Sequence, residues 1–320
     1  MSELITGFKV GQVTDTEAAT GVTVIICEKG ATPGVDVRGA APGTRETDLM
    51  RPDTLVDRVH AIVLAGGSAF GLAAADGAVR WLEEHGAGWP TSVGPVPIVG
   101  SAILYDLGVG DAKRRPDSEM GYQACDAAGG SQPATGSVGA GTGATVAKAL
   151  GMERCFKGGL GFAQRELASG LRVQAITAAN GIGSLIDSAS GAVVAAPRDE
   201  RGKMLDPLEA YQSGATLEAQ ALVGEATTLG VVMTDAQLTK QEATRLATMA
   251  HAGIARTVVP AYTLGDGDVV FVMATGEKSL QAGELSSLGA IAAACVAEAV
   301  VAGVKTAKSV GGIPAVSQVL

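Results

Sequence analysis

A chain of 320 residues that is 47% hydrophobic but only 3% aromatic, with 45 glycines, must build its core from Ala, Val, Leu and Ile with close backbone approach. A formal charge of −9 and a pI near 4.9 exclude the basic footprint of a nucleic-acid binder and disfavour an anionic membrane surface. Four scattered cysteines without CxxC spacing and only three histidines offer no metal constellation and point to free, buried thiols in a reducing compartment.

No linker of low hydrophobicity splits the chain, so a single α/β body spanning residues 1–320 is expected. The first residues carry no charged-then-apolar signal pattern, and the longest apolar run, 288–304, is broken by Glu298. A soluble, cytoplasmic protein is therefore expected, with no membrane partner.

In chain order, the β-branched run 22–26, the alternating stretch 34–39 and the buried run 60–64 predict strands. Ala65-Gly66-Gly67-Ser68 predicts a tight turn into a helix over 69–84, with Ser68 as N-cap and Gly86 as stop. A serine at a strand-to-helix elbow needs G-x-S-x-G to be an α/β-hydrolase nucleophile, and Phe70 occupies the last position. A strand around Ile103-Leu104-Tyr105-Asp106 precedes a charged loop and a helix over 118–128.

Residues 136–148 form the most biased segment, Gly136-Ser137-Val138-Gly139-Ala140-Gly141-Thr142-Gly143-Ala144-Thr145-Val146-Ala147-Lys148. A P-loop would end Gly-Lys-Ser/Thr, whereas Lys148 lies between Ala147 and Ala149. Strand 171–177 ends near the Asn180-Gly181 turn, a hairpin joins 184–187 to 192–196, and 197–225 reads as a polar linker. Strand 227–234, a capping box Thr239-Lys240-Gln241-Glu242 opening a helix, strand 268–275 and a small-residue helix over 287–304 complete the chain.

Taken singly, the polar residues along this path have ordinary explanations. Thr227 starts a strand, Lys148 is a surface lysine, Asn180-Gly181 and Asp266-Gly267-Asp268 are turns, and Tyr105 packs on a strand. Their company changes the reading. The stretches 34–39, 41–48, 60–71, 139–145 and 266–268, in this order and spacing, resemble the P1 peptidase family over nearly the whole chain. That family is the L-aminopeptidase/D-amidase-esterase group, which also holds β-aminopeptidases and the nylon-oligomer hydrolase.

The resemblance implies an αββα sandwich of the N-terminal-nucleophile type. It also implies self-cleavage between Ala226 and Thr227 into subunits 1–226 and 227–320, and assembly as a homo-tetramer of these processed heterodimers. Carried over by position, Thr227 is the nucleophile. Its freed α-amine, with a reference pKa of about 7.7–8.0, serves as its own general base, so neither cofactor nor metal is called for. Lys148 favours the neutral amine and steadies developing charge. Asn180 completes an oxyanion hole, Asp266 and Asp268 orient amine and hydroxyl, and Tyr105 stands beside the substrate.

The implied activity is hydrolysis of a small amide or peptide through an acyl-enzyme. Two alternatives stand beside it: an acyltransferase with the same threonine, and an uncleaved homologue acting as a binding or scaffold protein. The second arises because relatives commonly carry Asn or Gly where this chain has Ala226.

Overall fold

Period-two alternation of small apolar residues sorts this chain into layers. The computed structural model describes residues 3–206, 208–212 and 225–319. Its principal strands are β1 (Lys9–Asp15), β2 (Thr20–Val37), β3 (Thr44–Arg45), β4 (Val59–Ala65), β5 (Val99–Ile103), β6 (Gly159–Glu166), β7 (Arg172–Asn180), β8 (Thr227–Gln237) and β9 (Val269–Ser279). The layer helices are α1 (Ala74–Glu84), α2 (Ser118–Asp126), α3 (Lys240–Thr257) and α4 (Glu284–Lys305).

Strand order is β6-β7-β8-β9-β2-β4-β5-β3, with β1 against β2. The 18-residue β2 belongs to two sheets. Its first half pairs with β4, Val22 opposite Ala65 and Ile26 opposite Ala61, and its second half pairs with β9, Thr32 opposite Ala274 and Val37 opposite Val269. The register breaks between Ile26 and Ala31, where Gly30 takes φ +79°. There the chain passes from one sheet to the other.

Three apolar clusters fill the three interlayer spaces. Ile25, Ile62 and Leu64 of the first sheet meet Leu160, Ile176, Leu229, Val231, Phe271 and Met273 of the second. The intervening residues Val24, Ile26, Ala61 and Val63 pack outward on Ala74, Ala78 and Leu82 of α1 and on Ala124 and Cys125 of α2. On the far side Val232, Val270 and Val272 cover Leu246, Ala250 and Ile254 of α3 and Ala292, Val296 and Val300 of α4. The order of layers is α, β, β, α, as expected.

Glycines let the layers close. A Cβ at Gly161 would stand 1.8 Å from Ala299 O of α4, and one at Gly77 1.8 Å from Ser118 O of α2. All four cysteines are free and buried. The hairpin pairing Leu185 with Ala195 and the Thr239–Glu242 capping box are both formed. Part of the expected linker 197–225, namely 207 and 213–224, lies outside the described residues.

Three expectations are corrected. The two stretches 22–26 and 34–39 are one strand, because β2 serves both sheets. Strand β5 ends at Ile103, since beyond it Asp106 turns inward to accept from Thr20 Oγ1 (2.7 Å) and Gly67 N (2.7 Å). Ser68 does not cap a helix: it sits at φ 53° with its N–H on Leu104 O (3.0 Å), and a 3-10 turn, Ser68–Ala73, precedes α1. The buried Asp106 carboxyl is thus the group that the Gly67 N–H holds, and Gly66 has no room for a Cβ, which would fall 1.9 Å from Asp106 Oδ2.

Candidate active site

Sheet register gathers the site. Antiparallel pairing of β7 and β8 ends with Asn180 opposite Thr227. Parallel pairing of β8 and β9, Leu229 opposite Val269, carries the preceding turn alongside, so that Ala226 bridges to Asp266. Lys148 arrives from the glycine-rich segment because Ala147 N bonds Gly183 O (3.0 Å) and Lys148 N bonds Ile182 O (2.9 Å), just past Asn180. Four distant stretches therefore meet at one end of the second sheet.

In the uncut chain Thr227 Oγ1 donates to Ala226 O (2.5 Å), and Gly267 N donates to the same oxygen (2.8 Å). One peptide upstream, Glu225 O accepts from Lys148 Nζ (2.7 Å) and Asn180 Nδ2 (3.3 Å). Asn180 Nδ2 also donates to Tyr105 O (3.0 Å). Asn180 Oδ1 accepts from Thr145 N (2.9 Å) and Lys148 Nζ (3.2 Å). With donors on one side and carbonyls on the other, the orientation of the Asn180 amide is set by its partners.

Asp268 Oδ1 accepts from Thr228 N (2.5 Å) and Oδ2 from Tyr262 N (3.3 Å). Asp266 Oδ2 accepts from Thr263 N and Oγ1, both at 2.7 Å, while its Oδ1 is buried and, among the described residues, has no donor within ordinary hydrogen-bond geometry, the Ile182 N–H being the main-chain donor that acts on this carboxylate. Neither carboxylate is hydrogen bonded to the Thr227 hydroxyl.

The site is dry. Lys148 is 2% exposed rather than a surface lysine, and burial lowers its pKa to about 8, against the opposing pull of Cys155, Asp266, Glu225 and Asp106. Burial, then the charge of Asp266, raises Asp268 to about 7. Burial also raises Asp266, opposed by its Thr263 bonds and by Lys148. The Tyr105 phenol is raised by burial and by the Glu225 carboxylate beside it. The space left between Tyr105, Thr145, Lys148, Met152 and Glu225 is about 10 Å³, room for about one water, so residue 225 fills the cleft that the lysine faces.

All six residues singled out in the sequence come together here, Tyr105 through its carbonyl as well as its ring. Sequence reasoning missed the Gly267 N–H and Thr145. The first is a main-chain group without a signature; the second stood in the glycine-rich stretch, whose close backbone approach was the available signal.

Residues 5–316 match the model of Peptidase family S58. The chain is 43% identical to an uncharacterized aminopeptidase of Mycobacterium leprae (strain TN) over 92% of this chain and 85% of that one. It is 31% identical to a 6-aminohexanoate-oligomer endohydrolase of Kocuria sp. (strain KY2), over 93% and 84%. Its fold is similar to that of a Burkholderia sp. beta-aminopeptidase, at TM-score 0.70 and 23% identity, covering 94% of this chain and 85% of that one. It is likewise similar to the L-aminopeptidase D-Ala-esterase/amidase of Ochrobactrum anthropi, described as a variant of the Ntn hydrolase fold, at TM-score 0.72 and 20% identity over 97% and 87%. On this family match and these identities, laid over the αββα layers, the chain belongs to peptidase family S58 and is an amide-bond hydrolase of the Ntn fold.

Proposed function

We propose that this hydrolase cuts itself between Ala226 and Thr227 and then uses Thr227 as an N-terminal nucleophile. The observation that carries the reading is the Thr227 hydroxyl bonded to the carbonyl oxygen of the residue before it, with the Gly267 N–H on that same oxygen. Attack of Oγ1 on the Ala226 carbonyl carbon puts negative charge on an oxygen that already has a fixed main-chain donor. Collapse breaks the C–N bond, the Thr227 nitrogen takes the hydroxyl proton and becomes the free α-amine, and water hydrolyses the resulting ester to release the Ala226 carboxylate and restore the Thr227 hydroxyl.

That amine is then the general base of turnover, taking the Oγ1 proton as the hydroxyl attacks a substrate amide carbonyl and passing it to the leaving amine. A water, deprotonated in the same way, releases the acyl group. Withdrawal of residues 225–226 strips Lys148 Nζ and Asn180 Nδ2 of their Glu225 acceptor, leaving two donors for a substrate oxygen. Asp266, bridged to Ala226 through the main chain, is the carboxylate assigned to the new ammonium.

Substrates are small amides or peptides, with N-terminal aminoacyl groups and 6-aminohexanoate oligomers both suggested by the relatives' names. The working form is a tetramer of processed heterodimers in the cytoplasm. Denaturing electrophoresis with N-terminal sequencing tests the core of this: two fragments are expected, the smaller starting at Thr227, and one full-length inactive chain in Thr227→Ala. Turnover by T227A would remove Thr227 from its role, and transfer to an added amine faster than hydrolysis would assign a transferase.

A further inference from the structure

Lys157 is a second lysine closed off from solvent, at 0% exposure, and the chemistry above does not use it. It lies opposite Thr145 in a short antiparallel pair. Its Nζ donates to Ala144 O, its hydrogen-bond acceptor among the described residues. Burying an ammonium on one neutral acceptor is costly, and burial lowers this pKa to about 7, with Cys155 and Asp106 opposing and Lys148 assisting. A fold that keeps such a group gains something from its charge or its shape.

The acceptor locates the gain. The Ala144 carbonyl takes Lys157 Nζ and Gly158 N (2.8 Å). Across the same peptide, Thr145 N–H donates to Asn180 Oδ1 (2.9 Å), and Asn180 Nδ2 then donates to Glu225 O (3.3 Å) and Tyr105 O (3.0 Å). A cation on an amide oxygen draws electron density from the amide and makes its N–H a stronger donor. A stronger donor on Oδ1 does the same to the side-chain amide of Asn180, so the polarisation runs in one direction along the chain of bonds.

We propose that Lys157 is a positioning residue for this hydrolase: acting through the Ala144–Thr145 peptide, it orients and polarises Asn180 so that Nδ2 is held on the Glu225 carbonyl beside the peptide to be cut and, once that carbonyl has withdrawn, toward a substrate oxygen. This rests on Asn180 serving as a donor in the site described above. The first readout is kcat against KM on an amino-acid amide, and self-cutting, which needs no added substrate, gives the second.

The test is a double-mutant cycle of Lys157→Met and Asn180→Ala, with thermal melts to verify folding. K157M is expected to lose about tenfold in kcat of the mature enzyme, a part of the roughly 10²–10³ lost when an oxyanion donor is removed, and to slow self-cutting less, because in the uncut chain Asn180 holds Glu225 O rather than the reacting Ala226 O. KM should stay nearly unchanged. The double variant should be no slower than N180A, because residues acting through one another are not additive. K157Q, which keeps an N–H donor without the charge, should lie between K157M and wild type. Wild-type rates in K157M, or losses that multiply in the double variant, overturn the proposal. So does failure of both K157M and K157Q to fold, which would make the lysine a packing requirement. Wild-type and T227A chains run alongside: if the first is cut and the second is not while K157M is neutral, only the role of Lys157 falls; if those controls misbehave, the nucleophile assignment falls first.

Discussion

Gly267 offers the sharpest test of how the Ala226–Thr227 peptide is held. A Cβ built there would stand 2.7 Å from Ala41 O, 2.8 Å from Thr227 Oγ1 and 3.3 Å from Pro42 Cα, all inside ordinary contact distance. Gly267 is not among the positive-φ glycines, so alanine suits its backbone conformation and the effect of Gly267→Ala is one of space alone. Ala41 O is main chain and cannot swing away, so either the 266–268 turn moves or the hydroxyl rotates. Movement draws the Gly267 N–H off Ala226 O, where it now donates at 2.8 Å; rotation takes Oγ1 from the carbonyl it would attack. Loss of one oxyanion donor costs about 2.7–4 kcal/mol, or roughly 10²–10³ in rate, and the lower end suits a donor displaced rather than deleted. A time course on denaturing gels, with intact mass and a melt to verify the fold, is therefore expected to show G267A maturing about 100-fold more slowly than wild type. Fragments appearing at the wild-type rate would refute the assignment of this N–H to the reacting oxygen.

Lys148→Met removes the ammonium from Glu225 O and Asn180 Oδ1 while keeping the chain length, and a single uncut species on the gel is expected; ready maturation would show that the lysine is dispensable. Tyr105→Phe should barely slow cutting, because the bond to Asn180 is made by the Tyr105 carbonyl, and a loss as large as that in N180A would show that the phenol matters. Asp268 carries a pH signature, since its folded pKa is raised to about 7 while an unfolded aspartate titrates near about 3.9. The folded chain thus holds a proton that the unfolded chain has released. The resulting stabilisation is full below about pH 4 and is lost as pH rises through about 7. Urea melts of uncut T227A at pH 5 and pH 7.5 should show this fall, and Asp268→Asn should flatten it. An unchanged slope in D268N would place the titration elsewhere.

The layering was legible because its cause is local: in β4 the run His60-Ala61-Ile62-Val63-Leu64 is buried on both faces, as a strand between a second sheet and helices must be. The unity of β2 was not legible, because Glu28-Lys29-Gly30 interrupts the apolar pattern where the strand leaves one sheet for the other. Ser68 looked like a cap because serine before an apolar run usually is one; the buried Asp106, 38 residues further on, decided otherwise by claiming the N–H of Gly67. The site itself was visible only as a resemblance. Nothing beside Lys148 or Lys157 in the chain says that either is buried, and lysine is rarely so. Asn180 and Thr227 meet only through an antiparallel register between strands that are far apart in sequence, which no local pattern encodes.

Ala226 drew attention because the resembled family is expected to carry Asn or Gly there, and the geometry bears on what alanine would cost. The atoms that place the 226–227 carbonyl are main-chain: the Gly267 N–H on its oxygen, the Ala226 N–H directed at Gly265 O (3.4 Å), and the parallel bridge to Asp266. Any residue at 226 presents the same carbonyl and, proline apart, the same N–H, so attack by Thr227 does not call for an Asn side chain. What the side chain must satisfy is space, since Ala226 is 2% exposed. Glycine and alanine meet that requirement without rearrangement, whereas a larger polar residue would need its own hydrogen-bond partners in a buried site. Alanine is therefore compatible with maturation on both counts, backbone placement and room. If the chain cuts itself as proposed, the burden of positioning lies less with residue 226 than with the turn that contains Gly267.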